Sequence, residues 1–330
     1  MDPITQGALG ATLSESFADK HKVKTAALLG CLGGLAADID ILFYSPTDPL
    51  LFLEYHRQFT HSLIFIPLGA LICSLLAWPL AKKHLRFKQA YLFCLLGYAT
   101  HGLLDSCTTY GTQLFWPFSD MRVAWNTISI VDPLFTLPLI ALVITGVLKR
   151  NPLFPRLAFI WALVYLGLGV LQRDRAVEAG WELAKSRGDE PLRLEAKPGF
   201  GSLLLWKIVY ETEDKFFIDA IRVLNTTRVF PGESIEKLNL KKHFAWLDPD
   251  SQQAKDIERF RWFSNQYLAV DKRSPNYIID VRYSMLPNEF KPLWGIELDP
   301  EAGPGEHVYF NTDRRTTGKE TSELIRMLID

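Results

Sequence analysis

Residues 51–65, "LFLEYHRQFTHSLIF", set His56, Arg57 and His61 immediately ahead of an apolar run. From Ser62 to Ala81 the chain carries no Asp, Glu, Lys or Arg, and that is about the length a helix needs to cross a hydrocarbon layer roughly 30 Å thick. The stretch therefore reads as the approach to a membrane helix, with His56 on the incoming loop and His61 in the first helical turn. Ionisable residues at such a position are expensive unless they pair or serve a function.

Outward from this stretch, Gln89–Leu104, Pro133–Leu148 and Leu157–Gln172 also lack charged residues and read as further spans once their flanks are included. Thr25–Ala37 is shorter, and its Gly30, Gly33 and Gly34 allow another helix backbone to come close. Residues 3–18 are weaker still and are expected to pack against it. After Gln172 the composition changes. "SLLLWKIVYE" and "FFIDAIRVL" alternate apolar and polar residues between the turn signals "KPGFG" and "FPGES". "KLNLKKHFAWLDPD" and "AKDIERFRWFSNQYL" read as helical. The expected architecture is a membrane-embedded helical domain of about four to six helices over residues 1–172, then a β-rich α+β soluble domain over 173–330.

The 48% hydrophobic content and net charge of −1 are averages over these two unlike halves. They exclude a strongly basic nucleic-acid binder. All four cysteines fall in the membrane half and none forms a CxxC pair, so neither a zinc ribbon nor a disulfide in the polar half is expected. The N-terminus lacks the basic start, apolar core and small-residue cleavage site of a signal peptide.

Lysines and arginines gather at residues 20–24, 82–88 and 149–156, which places those connections on the cytoplasmic side. With helices alternating in direction, Asp38, Asp40, His56, His61, His101, Asp105 and Asp132 arrive together at the outer end, and the C-terminal domain faces outward as well. His101 and Asp105 are four residues apart and share a helix face. Asp38 and Asp40, two apart, converge only where a helix ends, and the following "YSPTDP" supports an ending there. Singly, each of these residues reads as structural. Collected at one membrane end, three carboxylates and three imidazoles are costly without a cation, and a divalent ion accounts for both. Such a donor set, free of thiolate, favours zinc, with manganese or iron(II) as alternatives, and has room for one or two ions. The ion would acidify a water, with Asp40 and Asp105 in the catalytic set and Arg57 free to steady an anionic phosphoester or lipid headgroup. Thr60, Trp116 and Asp132 would shape the rim, Asp132 equally well as a helix cap.

In "MDPITQGALGA", "DID", "HRQFTHS", "HGLLDSCTTYG" and "WPFS" the chain resembles the YdjM-like inner-membrane, metal-dependent hydrolases over about its first 135 residues. The resemblance implies a multi-pass protein of the bacterial inner membrane, distantly similar in its metal-ligand pattern to zinc-dependent phospholipase C and P1-type nucleases. It also implies a ligand set of Asp38, Asp40, His56, His61, His101 and Asp105. The family often begins with a Thr-His step, where this chain has Thr5 and Gln6. Gln6 then either hydrogen-bonds in place of an imidazole or leaves one ligand fewer. Two other readings stand beside hydrolysis: a structural metal site with a C-terminal binding domain, or a binding module that the helices merely anchor. An ion pathway is disfavoured because the middles of the spans hold few ionisable residues.

Overall fold

The computed structural model describes residues 1–329. The chain forms two compact units, one from Met1–Leu42, Tyr55–Leu171 and Phe200–Leu203, the other from Phe43–Glu54, Gln172–Gly199 and the chain from Leu204 onward. In chain order the first helices are α1 (Pro3–Ser16), α2 (Val23–Ala36), α3 (Leu51–Tyr55), α4 (Ile66–Ala81), α5 (Phe87–Cys107), α6 (Pro133–Lys149) and α7 (Leu153–Arg187). As the sequence suggested, a helical N-terminal region precedes a C-terminal region rich in antiparallel sheet.

Among the described residues, three segments are apolar and long enough to cross a membrane: Val23–Leu42, Leu63–Ala81 and Leu153–Arg187. In the second and third, only 28% of the apolar stretch is buried inside the protein. Side chains such as Leu76 on α4 and Leu171 on α7 point outward, as suits contact with lipid. Pro133–Lys149 is apolar but shorter. The expected span at Gln89–Leu104 lies within α5, which is not among the three, since Lys88, His101 and Asp105 interrupt its apolar character. That helix packs on α1, α2 and α4.

Helix α1 starts where Asp2 accepts a 3.0 Å hydrogen bond from the Thr5 N–H and Pro3 opens the first turn. It is buried along most of its length. Glycines make this possible. A Cβ on Gly10 would come within 2.4 Å of the Gly30 carbonyl, and one on Gly97 within 2.1 Å of the same carbonyl. The backbones of α1, α2 and α5 therefore meet in direct contact. One helical turn beyond Gly97 stands His101, so this packing also sets where the α5 polar residues lie.

The second unit contains two antiparallel sheets. Strands β1 (Arg193–Pro198), β2 (Leu205–Glu211), β3 (Lys215–Val223) and β4 (Thr227–Phe230) lie in that order, with β5 (Ser234–Glu236) also paired to β3. Strands β6 (Leu268–Val270), β7 (Tyr277–Asp280), β8 (Trp294–Glu297) and β9 (Tyr309–Thr312) form the other sheet in sequential order. Alternation along β2 sends Trp206, Ile208 and Tyr210 against Ala176 and Ala184 of α7, while Val209 joins Phe216, Ile218, Ile279 and Val281 between the sheets. Of the two segments expected to be helical, "AKDIERFRWFSNQYL" supplies most of α9 (Gln252–Phe263), capped by Ser251. The other yields only the short α8 (Leu240–His243), because Pro249 follows closely and no apolar face continues. Helix α10 (Gly318–Ile329) places Met327 on Leu205 and Ala220.

Lys207, also on β2, is buried, and its ammonium donates to Ser284 Oγ at 2.7 Å and to the Glu289 carbonyl at 3.3 Å. Burial pushes its pKa down to about 7, with the Lys197 charge adding to the effect and Asp280 opposing it. A depressed lysine is protonated in the unfolded chain before it is protonated in the folded one, so stability rises with pH from about 7 to about 10.5. Depressing the pKa this far costs on the order of 4 kcal/mol at neutral pH, against about 1–2 kcal/mol from its hydrogen bonds. Lys207→Met is expected to raise the thermal midpoint of this unit at pH 7 and flatten its rise towards pH 10. Thermal unfolding followed by circular dichroism at pH 7 and pH 10 measures both, and an unchanged pH slope would contradict the assignment.

Candidate metal centre

The polar residues come together where three segments end. Helix α2 does not fray into loop; it tightens into a 3₁₀ helix over Ala37–Leu42 that carries Asp38 and Asp40. His56 follows α3, and His61 closes a 3₁₀ turn at Phe59–His61. The expected place of His61 in the first turn of the membrane helix needs correction. Ser62 is extended, a second 3₁₀ turn follows at Leu63–Phe65, and α4 begins only at Ile66. Pro67 explains the delay, since proline fits the first helical turn and not the interior. His101 and Asp105 stand one turn apart on α5.

Two groupings of potential ligand atoms result, each with its atoms within 4.8 Å of one another: Asp38, His61, His101 and Asp105, and Asp38, Asp40 and His56. All six expected ligands fall in one or the other, and Asp38 is shared. Within the first, His61 Nε2 lies 3.5 Å from Asp38 Oδ1 and 3.2 Å from Asp105 Oδ2, and His101 Nε2 lies 3.3 and 3.7 Å from the same two atoms. A tetrahedron of N and O ligands around zinc has edges of about 3.3–3.5 Å, from metal–ligand lengths near 2.1 Å. Both Nε2 atoms are buried with no hydrogen-bond partner, and Asp105 Oδ2 is buried with the Arg57 guanidinium as its ion-pair partner but no aligned hydrogen bond. Orphaned polar atoms of this kind are rare in folded proteins and call for an ion or water between them.

The surroundings fix the imidazoles for this role. His101 Nδ1 donates to the Gly34 carbonyl at 2.5 Å, which leaves Nε2 as the inward acceptor. His61 Nδ1 lies 3.0 Å from Thr60 Oγ1 and 3.2 Å from Asp40 Oδ2. Tyr98 holds that turn by donating its hydroxyl to the Thr60 carbonyl at 2.8 Å. Asp40 lies on the Nδ1 side of His61, away from the quartet. It faces His56 Nδ1 at 3.0 Å and accepts from the Arg57 N–H at 2.9 Å and from Thr60 Oγ1 at 3.0 Å. Its oxygens are thus already satisfied, so the quartet around Asp105 is the stronger ion site and the grouping around Asp40 the weaker. In the quartet only Asp38 is open, with 30% of its side chain exposed against 0–1% for the other three.

Arg57 is not free for an anion, as the sequence reading had it. It is buried, in the left-handed backbone region at φ 62°, with Nε 3.0 Å from Asp105 Oδ2. Its Nη1 donates to Thr108 Oγ1 at 3.0 Å, and the guanidinium lies 4.8 Å above the Tyr110 ring. The terminal amine of Met1 also pairs with Asp105. Gln6 Nε2 donates to Asp105 Oδ1 at 2.9 Å, so it orients a ligand carboxylate. Thr60 bridges Asp40 and His61. Asp132 lies elsewhere, capping α6 through the N–H groups of Leu134 and Phe135 and accepting from the Tyr165 hydroxyl at 2.8 Å. Trp116 is half-buried beside Phe59, with ring centres 6.0 Å apart, and takes no part in the cluster. Sequence reasoning missed Tyr98, Thr108 and Tyr110. The last two follow Asp105 directly in "DSCTTYG", a signal available but not used.

Comparison with known proteins places this geometry in context. A family model described as YdjM inner membrane protein matches residues 1–176. The uncharacterized protein YfhP of Bacillus subtilis (strain 168) is 30% identical over 129 residues, which are 38% of this chain and 39% of YfhP. Inner membrane protein YbcI of Escherichia coli (strain K12) is 29% identical over 131 residues, 38% of this chain and 75% of YbcI. The chain thus matches about two fifths of the length of YfhP. No solved structure matches, and the expected likeness to phospholipase C and P1 nucleases gains no support from these relatives. Since the match covers more than half of its 330 residues and includes every residue of the candidate metal centre, the chain belongs to the YdjM inner membrane protein family.

Proposed function

We propose that the protein is a membrane-bound, metal-dependent hydrolase acting on a phosphoester, with membrane lipid as the candidate substrate. The observation that carries this reading is the pair of orphaned, buried Nε2 atoms of His61 and His101, which face the buried Asp105 carboxylate and the part-exposed Asp38. With Asp38 these residues would hold a divalent ion, zinc fitting the donor set best. Bound there, such an ion supplies Lewis acidity and a water acidified towards neutrality. The chain's own residues supply the rest. Asp40 orients His56 through its Nδ1 contact, as a carboxylate orients the base in a catalytic triad. His56, with 18% of its side chain exposed, is placed to move a proton to or from substrate. Arg57 holds Asp105 in place and balances its charge.

The burial of three of the four quartet ligands favours a second reading, in which the ion is structural and ties α5 to the ends flanking it. The two separate in one experiment. Purified protein loaded with zinc is assayed against bis-p-nitrophenyl phosphate and phospholipid vesicles, alongside His56→Ala. Hydrolysis that stops with chelator and falls in His56→Ala, while metal content stays unchanged, supports catalysis. A metal-loaded protein inert towards every phosphoester supports the structural reading instead. The basic connections would face the cytoplasm and the metal centre the outer side, so reporter fusions at Lys83 and at the C-terminus are expected to report opposite sides. Same-side signals would refute that orientation.

A further inference from the structure

At the end of α1 and α5 remote from the metal centre, the helical unit has a concave surface that hydrolysis does not use. An open depression of about 840 Å³ is lined by Lys20, Lys22, Lys149, Arg150 and Arg156, with His21 among them. A second, of about 540 Å³, shares Lys22 and adds Lys82, Lys83, Arg86 and Lys88. The three basic connections of the sequence thus converge on one two-lobed basin. Asp19 is the one carboxylate in its lining, and it is taken up by Lys22 at 2.9 Å. Among the described residues, no other cation of the basin has a carboxylate partner.

Orienting a membrane protein requires only that positive charges lie on one side. It does not require that they form a depression, nor that the depression have an apolar border. Here Phe17, Leu148 and Leu153, each next in sequence to a residue lining the larger lobe, have 66%, 77% and 53% of their surface exposed. Trp78 packs edge-on against Phe87 near the smaller lobe, in the manner of aromatic residues at a membrane interface. Arg150 closes α6 in the left-handed conformation at φ 51°, a position where glycine is the usual residue. A charged floor with an apolar border matches a ligand that is itself anionic at one end and apolar at the other.

We propose that this basin binds the phosphate headgroup of an anionic phospholipid, whose acyl chains lie against the Phe17, Leu148 and Leu153 border. Basic pockets between membrane helices hold such headgroups by charge, each Lys or Arg strengthening binding about five-fold near a membrane surface. The site does not depend on the metal centre or on hydrolysis.

Native mass spectrometry of the full chain in detergent tests it, with phosphatidylglycerol and phosphatidylcholine as probes. Phosphatidylglycerol is expected to be retained in preference. Arg150→Gln with Arg156→Gln is expected to weaken it about 25-fold, taking about five-fold per charge. Lys185→Gln with Lys255→Gln, an equal charge loss on exposed residues elsewhere, should leave retention unchanged. If the double variant does not fold, Arg150→Gln alone is expected to cost about five-fold. Millimolar inorganic phosphate should fail to displace the lipid. Equal retention of the two lipids, undiminished binding in the variants, or displacement by free phosphate would overturn the proposal.

Discussion

His101→Ala is expected to weaken divalent-metal binding by more than about 100-fold, beyond the roughly 10–100-fold typical when only an outer partner of a ligand is lost. The substitution removes one donor of the quartet and with it the 2.5 Å anchor to the Gly34 carbonyl. Neither His61 nor Asp105 can replace it, because each is held by its own partners, His61 by Thr60 and Asp105 by Gln6 and Arg57. Titration of metal-free protein against a chromophoric chelator reads the affinity directly. Circular dichroism checks that α5 remains folded. Unchanged affinity in a folded variant would remove His101 from the site.

Arg57→Gln is expected to destabilise the helical unit by about 3–5 kcal/mol in chelator, the usual cost of breaking a buried ion pair from one side. Asp105 then keeps a buried charge without its guanidinium, and Thr108 loses its donor. A bound divalent ion would neutralise the same carboxylate, so the loss should shrink when zinc is present. Thermal midpoints of wild type and variant, each with zinc and with chelator, give the four values needed. An equal drop in both conditions would mean that Arg57 and the metal do not act on the same charge.

The chemistry of the cluster was more legible than its wiring. The spacing of His101 and Asp105 places them on one helix face whatever surrounds them, and Asp38 with Asp40 required a helix ending, which the 3₁₀ segment provides. What a sequence does not display is which buried partner a charge will find. Arg57 looked available because it lies between two histidines in an exposed-looking loop. Its actual partners, Asp105 and Thr108, lie 48 and 51 residues away. Asp132 likewise has its second partner, Tyr165, 33 residues along the chain. Helix α5 was read as a span from its apolar run. Its packing depends on Gly30, Gly33 and Gly97, whose mutual contact no hydropathy pattern records.

The second unit illustrates the same limit. Its strands were visible as alternation, and β2 and β3 lie where that pattern put them. Lys207 alternates as a polar residue should and yet faces inward between sheets, because in a strand covered on both sides the polar phase has no solvent to meet.

The central claim is that the quartet of Asp38, His61, His101 and Asp105 holds a divalent ion. Elemental analysis of the purified, unmutated protein, combined with X-ray absorption at the metal edge, tests it most directly. The account predicts at least one ion per chain in a shell of nitrogen and oxygen at about 2.0–2.2 Å, with no sulfur. Protein that purifies without stoichiometric metal and takes none up from zinc, manganese or iron(II) would contradict it.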